Sequence, residues 1–124
     1  MSISQAYTLD ELSAFLSEAP QLTVVKFGAK WCLPCQQFNP YFESLAFELH
    51  SSKWNVKFVC VDKQDDTDDT DDIFDFYKIT KLPTVLCIKD NDVKCRIVRP
   101  DATEFRYQVV PFLPPRVLTF DEDF

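Results

Sequence analysis

Glycine is almost missing from this chain of 124 residues, where Gly28 is the only one. No glycine-rich nucleotide-binding motif is present, so a bound nucleotide is not expected. Positive charge is also short. Thirteen Lys and Arg stand against twenty Asp and Glu, and the resulting net charge of −7 repels phosphate backbones and anionic membrane surfaces. Neither nucleic acid nor a membrane is an expected partner. No apolar run is long enough to cross a bilayer, and the opening residues MSISQAYTLDELSAF lack the basic stretch and apolar core of a secretory signal. A soluble, cytoplasmic protein is the expectation.

In that compartment thiols are mostly kept reduced. The five cysteines, an odd number without framework spacing, are therefore not read as structural staples. Histidine is limited to His50, and without a second Cys-x-x-Cys the ligands for a closed zinc site are missing. The acidic run DDTDDTDD, from Asp65 to Asp72, lacks the turn glycine and terminal glutamate of an EF-hand calcium loop and reads as a solvated loop. Neither a metal nor a cofactor is expected to be resident.

What is present suits a single packed domain. Hydrophobic residues make up 46% of the chain, enough for one sizeable core. Thr8 and Glu11 form a capping box ahead of Leu9, Leu12, Phe15 and Leu16, the stripe of an amphipathic helix that Pro20 ends. LTVVKFGA (Leu22 to Ala29) has apolar residues at both parities, as in a central strand covered on both faces. Phe38, Phe42, Leu45 and Leu49 mark a second helix to about His50, with a kink expected at Pro40. VKFVCVD (Val56 to Asp62) is a further strand, and IFDFYKI a short helix. PTVLCIKD and VKCRIV form a hairpin about Asp90, Asn91 and Asp92. A last helix from Thr103 carries Phe105 and Val109 until Pro111 stops it.

The order is βαβαβ, a short helix, ββ and α. Right-handed crossovers make the first three strands parallel, and helices must cover both faces, which predicts a three-layer α/β/α sandwich around a mixed sheet. The domain is expected over residues 1–110, with 111–124 a proline-rich, acidic tail. The acidic run should leave the same sheet edge as the cysteine pair, where it would favour basic partners.

The stretch AKWCLPCQQF carries the chemistry. Strand, Cys-x-x-Cys and helix in succession put Cys32 at a helix start, where free N–H groups and the helix dipole stabilise a thiolate. Cys35, one turn on, is better shielded and placed to attack the mixed disulfide that Cys32 forms. Pro34 falls in the first turn, where its missing N–H is not needed. Trp31, beside an exposed thiol, is expected to wall the site. Cys60, Cys87 and Cys95 read as small core hydrophobes.

With these residues the chain resembles thioredoxin from about Ser2 to Val110. The matching positions are FGAKWCLPC with Trp31, Cys32, Pro34 and Cys35, the mid-helix Pro40, and KLPT with Pro83. The resemblance implies a cis Leu82–Pro83 bond facing the cysteines, whose exposed backbone pairs with a substrate peptide. It also implies Leu33, Pro34, Leu82 and Pro83 as substrate contacts, and re-reduction in trans by an NADPH-dependent thioredoxin reductase or equivalent donor. Leu33 replaces the usual glycine, and Lys26 replaces a buried aspartate. Two glycines of the last strand region are missing near Cys95 and Arg99. Lys26, in an apolar strand, should be either neutral from desolvation or stretched to solvent, and is a candidate proton-transfer residue or thiol modulator. The expected activity is thiol-disulfide oxidoreduction by a monomer, most simply reduction of protein disulfides. The rival readings are a thioredoxin-like interaction module and a more oxidising oxidase or isomerase.

Overall fold

The computed structural model describes residues 3–18, 22–65 and 69–115. Among them five strands form one mixed sheet in the order β1-β3-β2-β4-β5. β1 (Ile3–Gln5), β2 (Leu22–Ala29) and β3 (Val56–Lys63) are parallel; β4 (Thr84–Lys89) runs antiparallel to β2, and β5 (Asp92–Val98) antiparallel to β4. β1 is the first strand that the element order demands, although three residues are too few to show an alternation of their own.

The helices are α1 (Leu9–Ser17), α2 (Leu33–Ser51), α3 (Asp71–Phe76) and α4 (Ala102–Val109). Alternation along the inner strands sorts them into two layers. Leu22 and Val24 of β2 and Val56, Phe58 and Cys60 of β3 pack with Phe38, Phe42, Leu45 and Leu49 of α2 and Phe105 and Val109 of α4. Val25, Phe27, Val59 and Val61 point the other way, onto Leu12 of α1 and Ile73 and Phe74 of α3. Each fully buried phenylalanine contributes about 2–3 kcal/mol of apolar transfer. Phe42 and Phe58 meet edge to face at 5.3 Å, joining helix to sheet.

Local signals explain most element ends. Thr8 and Glu11 close a reciprocal capping box on α1. Asp90 and Asn91, at φ of 53° and 63°, make the two-residue turn between β4 and β5, a conformation that these two residue types tolerate best after glycine. His50 lies in the last turn of α2 with Nε2 3.0 Å from the Val56 carbonyl.

Two expectations change. α3 begins at Asp71 rather than Ile73, so Asp71 and Asp72 of the acidic run form a helical first turn, where carboxylates are favoured by the dipole. Pro111 does not simply end a helix: Val110–Phe112 form a 3-10 turn after α4, and Phe112 and Leu113 still pack on the core. The expected tail from residue 116 and acidic-run residues 66–68 lie outside the described residues. No helix among the described residues is long and apolar enough to cross a membrane.

Candidate redox site

β2 ends at Ala29, and the Cys32 N–H donates back to its carbonyl at 3.1 Å, which turns the chain into α2. Cys32 is the N-cap of that helix. Its sulfur accepts the Cys35 N–H at 3.2 Å, as a capping oxygen would, so an unpaired helix-start donor is aimed at the sulfur that must carry negative charge when reduced. Cys32 and Cys35 form a disulfide with Cα atoms 5.2 Å apart. Cys32 is partly exposed whereas Cys35 is 2% exposed, an asymmetry that separates an attacking from a resolving sulfur.

The surroundings are apolar and open. Trp31 and Leu33 are 54% and 61% exposed on either side of Cys32. Leu82–Pro83 is cis, and Pro83 shares with Pro34 a groove of about 720 Å³ that continues along Gln37, Tyr41 and Arg99. On the other side Trp31 and Leu82 line a second hollow with Asp71, which brings the end of the acidic run to the rim of the site. Asp71 is paired there with Lys63.

Lys26 does not reach solvent, and it is not isolated in the core either. It is 3% exposed; its ammonium bonds Asn39 Oδ1 of α2, lies 3.5 Å from Asp62 Oδ1, and sits 5.6 Å from the centre of the Phe42 ring. This pairing replaces the expectation of a side chain stretched to solvent, because an internal carboxylate supplies what water otherwise would. Strand parity creates it: Lys26 and Gly28 follow Leu22 and Val24 onto the α2 face, Asp62 follows Cys60, and the parallel register sets Lys26 against Cys60 and Gly28 against Asp62.

Gly28 is required by space. A Cβ there would stand 2.7 Å from Asp62 Oδ1 and 3.4 Å from Cys35 Sγ, so Gly28 lies between the carboxylate and the resolving cysteine. The sequence reading missed Asp62, although an acid continuing the core-facing parity of β3 was the available signal. A cleft of about 210 Å³ lined by Gln5, Lys26, Asn39, Glu43 and Asp62 reaches this pair.

The other cysteines have the character of buried thiols. Burial pushes Cys60 up to about 11, against a smaller opposing pull from Lys26, and pushes Cys87 up to about 12. Cys95 is raised for the same reason. None has the helix-start donor that Cys32 has. Among the described residues no cluster of His, Cys, Asp and Glu could hold a metal ion.

This geometry is matched by known proteins. The Thioredoxin family profile fits residues 4–107, most of the chain. The chain belongs to the thioredoxin family. It is 30% identical over 97 residues to thioredoxin H1 of Arabidopsis thaliana, covering 78% of each protein. Against the chloroplastic thioredoxin-like 3-1 of the same plant it is 29% identical over 93 residues, 73% of this chain but 41% of that protein, so it spans less than half that relative's length. The fold matches Fasciola hepatica thioredoxin with a TM-score of 0.78 at 29% identity, covering 89% of this chain and 99% of that one. Members of the thioredoxin family act on disulfide substrates and draw electrons from a reductase donor. Cys32 and Cys35 are thus the redox centre of a thiol-disulfide oxidoreductase domain.

Proposed function

We propose that the protein reduces disulfides of other proteins in the cytosol, as a monomer, and is returned to the dithiol by an NADPH-dependent thioredoxin reductase or an equivalent donor. The observation that carries this reading is the Cys32 sulfur receiving the Cys35 N–H at the start of α2 while Cys35 stays buried behind it. The Cys32 thiolate attacks one sulfur of the substrate disulfide, and the released thiolate takes up a proton. Cys35 then loses its proton and attacks the Cys32 sulfur, expelling the second substrate thiolate. Two electrons pass to the substrate, the second released thiolate takes its proton from solvent, and the internal disulfide remains.

Trp31, Leu33, Pro34, Leu82 and Pro83 offer the apolar docking surface. Lys26 is a positioning residue: paired with Asp62 behind Cys35, it balances the charge next to the sulfur that must deprotonate. The Cys32→Ser variant is expected to lose insulin-disulfide reduction, and Cys35→Ser to accumulate mixed disulfides visible by mass analysis. Wild-type activity in both variants would overturn the reading in favour of an interaction module. An equilibrium potential near about −270 mV fits a reductase, whereas about −180 mV would mark an isomerase.

A further inference from the structure

The groove beside the cysteines holds one cationic side chain that the dithiol chemistry does not use. Arg99 follows β5 with φ of 50°, a left-handed backbone that a residue other than glycine keeps only where its contacts enforce it. Two contacts do so. Its backbone N–H donates to the Pro83 carbonyl at 2.8 Å, and its side-chain Nε donates to the Leu82 carbonyl at 3.2 Å. The exit of β5 is thereby clasped to both residues of the cis bond.

Leu82 precedes β4 and is partly exposed beside Trp31, and its carbonyl is a main-chain acceptor of the kind an extended substrate pairs with. Arg99 occupies that acceptor with one of its five donors, and the rest of the guanidinium has no ionic partner among the described residues. Among the residues lining the groove Arg99 is the one cation and Asp101 the one anion. The Asp101 carboxylate is already engaged, since it caps α4 by accepting the Glu104 N–H at 2.8 Å.

The geometry points to Arg99 as a specificity-determining residue that selects protein substrates carrying a carboxylate next to the target disulfide. Such a carboxylate offers two parallel bonds to the guanidinium, stronger together than the single bond to a neutral carbonyl, and so draws the side chain off Leu82. The freed carbonyl then accepts a main-chain N–H of the substrate. A substrate with an amide in place of the acid brings no such exchange and meets an acceptor with one of its two lone pairs already taken. Because Arg99 is exposed, screening limits the effect to a several-fold preference.

This inference rests on the reductase reading, and one experiment separates the two. Two disulfide peptides differing only in Glu or Gln beside the attacked cysteine are reduced by the pre-reduced protein, and kcat/KM is compared at low and physiological salt. Wild type is expected to favour the Glu peptide about 5-fold at low salt, less at higher salt. Arg99→Gly, which suits the left-handed backbone, should bring the ratio to about one by speeding the Gln peptide, and Arg99→Lys should keep only part of the preference. Equal rates for the two peptides in wild type, or an undiminished preference in Arg99→Gly, would overturn the role of Arg99. Failure of wild type to reduce either peptide would overturn the reductase reading beneath it.

Discussion

Lys26 and Asp62 differ in how each would fare alone, which makes two substitutions informative together. Lys26→Met keeps most of the length of the side chain and leaves the Asp62 carboxylate, 21% exposed, able to hydrate through the cleft beside it. The loss of stability should be about 1–2 kcal/mol, below the range for breaking a fully buried pair. Asp62→Asn leaves an ammonium that is 3% exposed, with Asn39 and the face of Phe42 for company. That charge has no comparable route to water, so the loss should be about 3 kcal/mol or more. Urea unfolding of the reduced proteins reads the difference.

The same variants should move the pH dependence of resolution in opposite directions. With Lys26 gone, Asp62 and the nearby Glu43 of α2 leave net negative charge near Cys35, the thiolate is disfavoured, and the rate profile shifts to higher pH. With Asp62 neutralised, Lys26 favours the thiolate and the profile shifts to lower pH. Cys60, the remaining titratable group of the cleft, stays protonated, since burial raises it to about 11. Each displacement should be about one pH unit, which is about 1.4 kcal/mol. Stopped-flow release of substrate from a preformed mixed disulfide measures it. Displacements of the same sign, or Lys26→Met being the more damaging to stability, would refute the reasoning.

Gly28→Ala places a carbon 2.7 Å from Asp62 Oδ1, so Asp62 must turn away from Lys26; a loss of about 2 kcal/mol and slower resolution are expected, and wild-type unfolding would contradict this. Arg106 binds Glu48 with both ends of its guanidinium, one bond at 2.9 Å, and these hydrogen bonds hold the Glu48 carboxyl below its usual range. Stability from this pair is therefore present above the ordinary carboxylate pKa and is lost as pH falls through the lower folded value. Both side chains are about half exposed, so Arg106→Gln should lower stability by about 0.5 kcal/mol at neutral pH and make no difference near pH 2, measured by unfolding at the two pH values.

The redox pair was legible in the sequence because everything that defines it is contiguous. A strand, Cys32, Cys35 and a helix stripe follow each other in one stretch, and the helix start supplies its donor to the Cys32 sulfur locally. The layered sheet was legible for a similar reason, since the apolar parities of β2 and β3 already require helices on both faces. β1 was implied only by the element order, because a three-residue edge strand carries no pattern of its own. The Lys26–Asp62 pair could not be read from either strand alone. It depends on two alternations combined with the register that sets Gly28 beside Asp62, and register is fixed by the whole sheet. Arg99 lies further still from local inference. Its reach to Leu82 combines the left-handed exit of β5 with the antiparallel pairing of β4 and β5, so only the tertiary structure brings that charge to the groove.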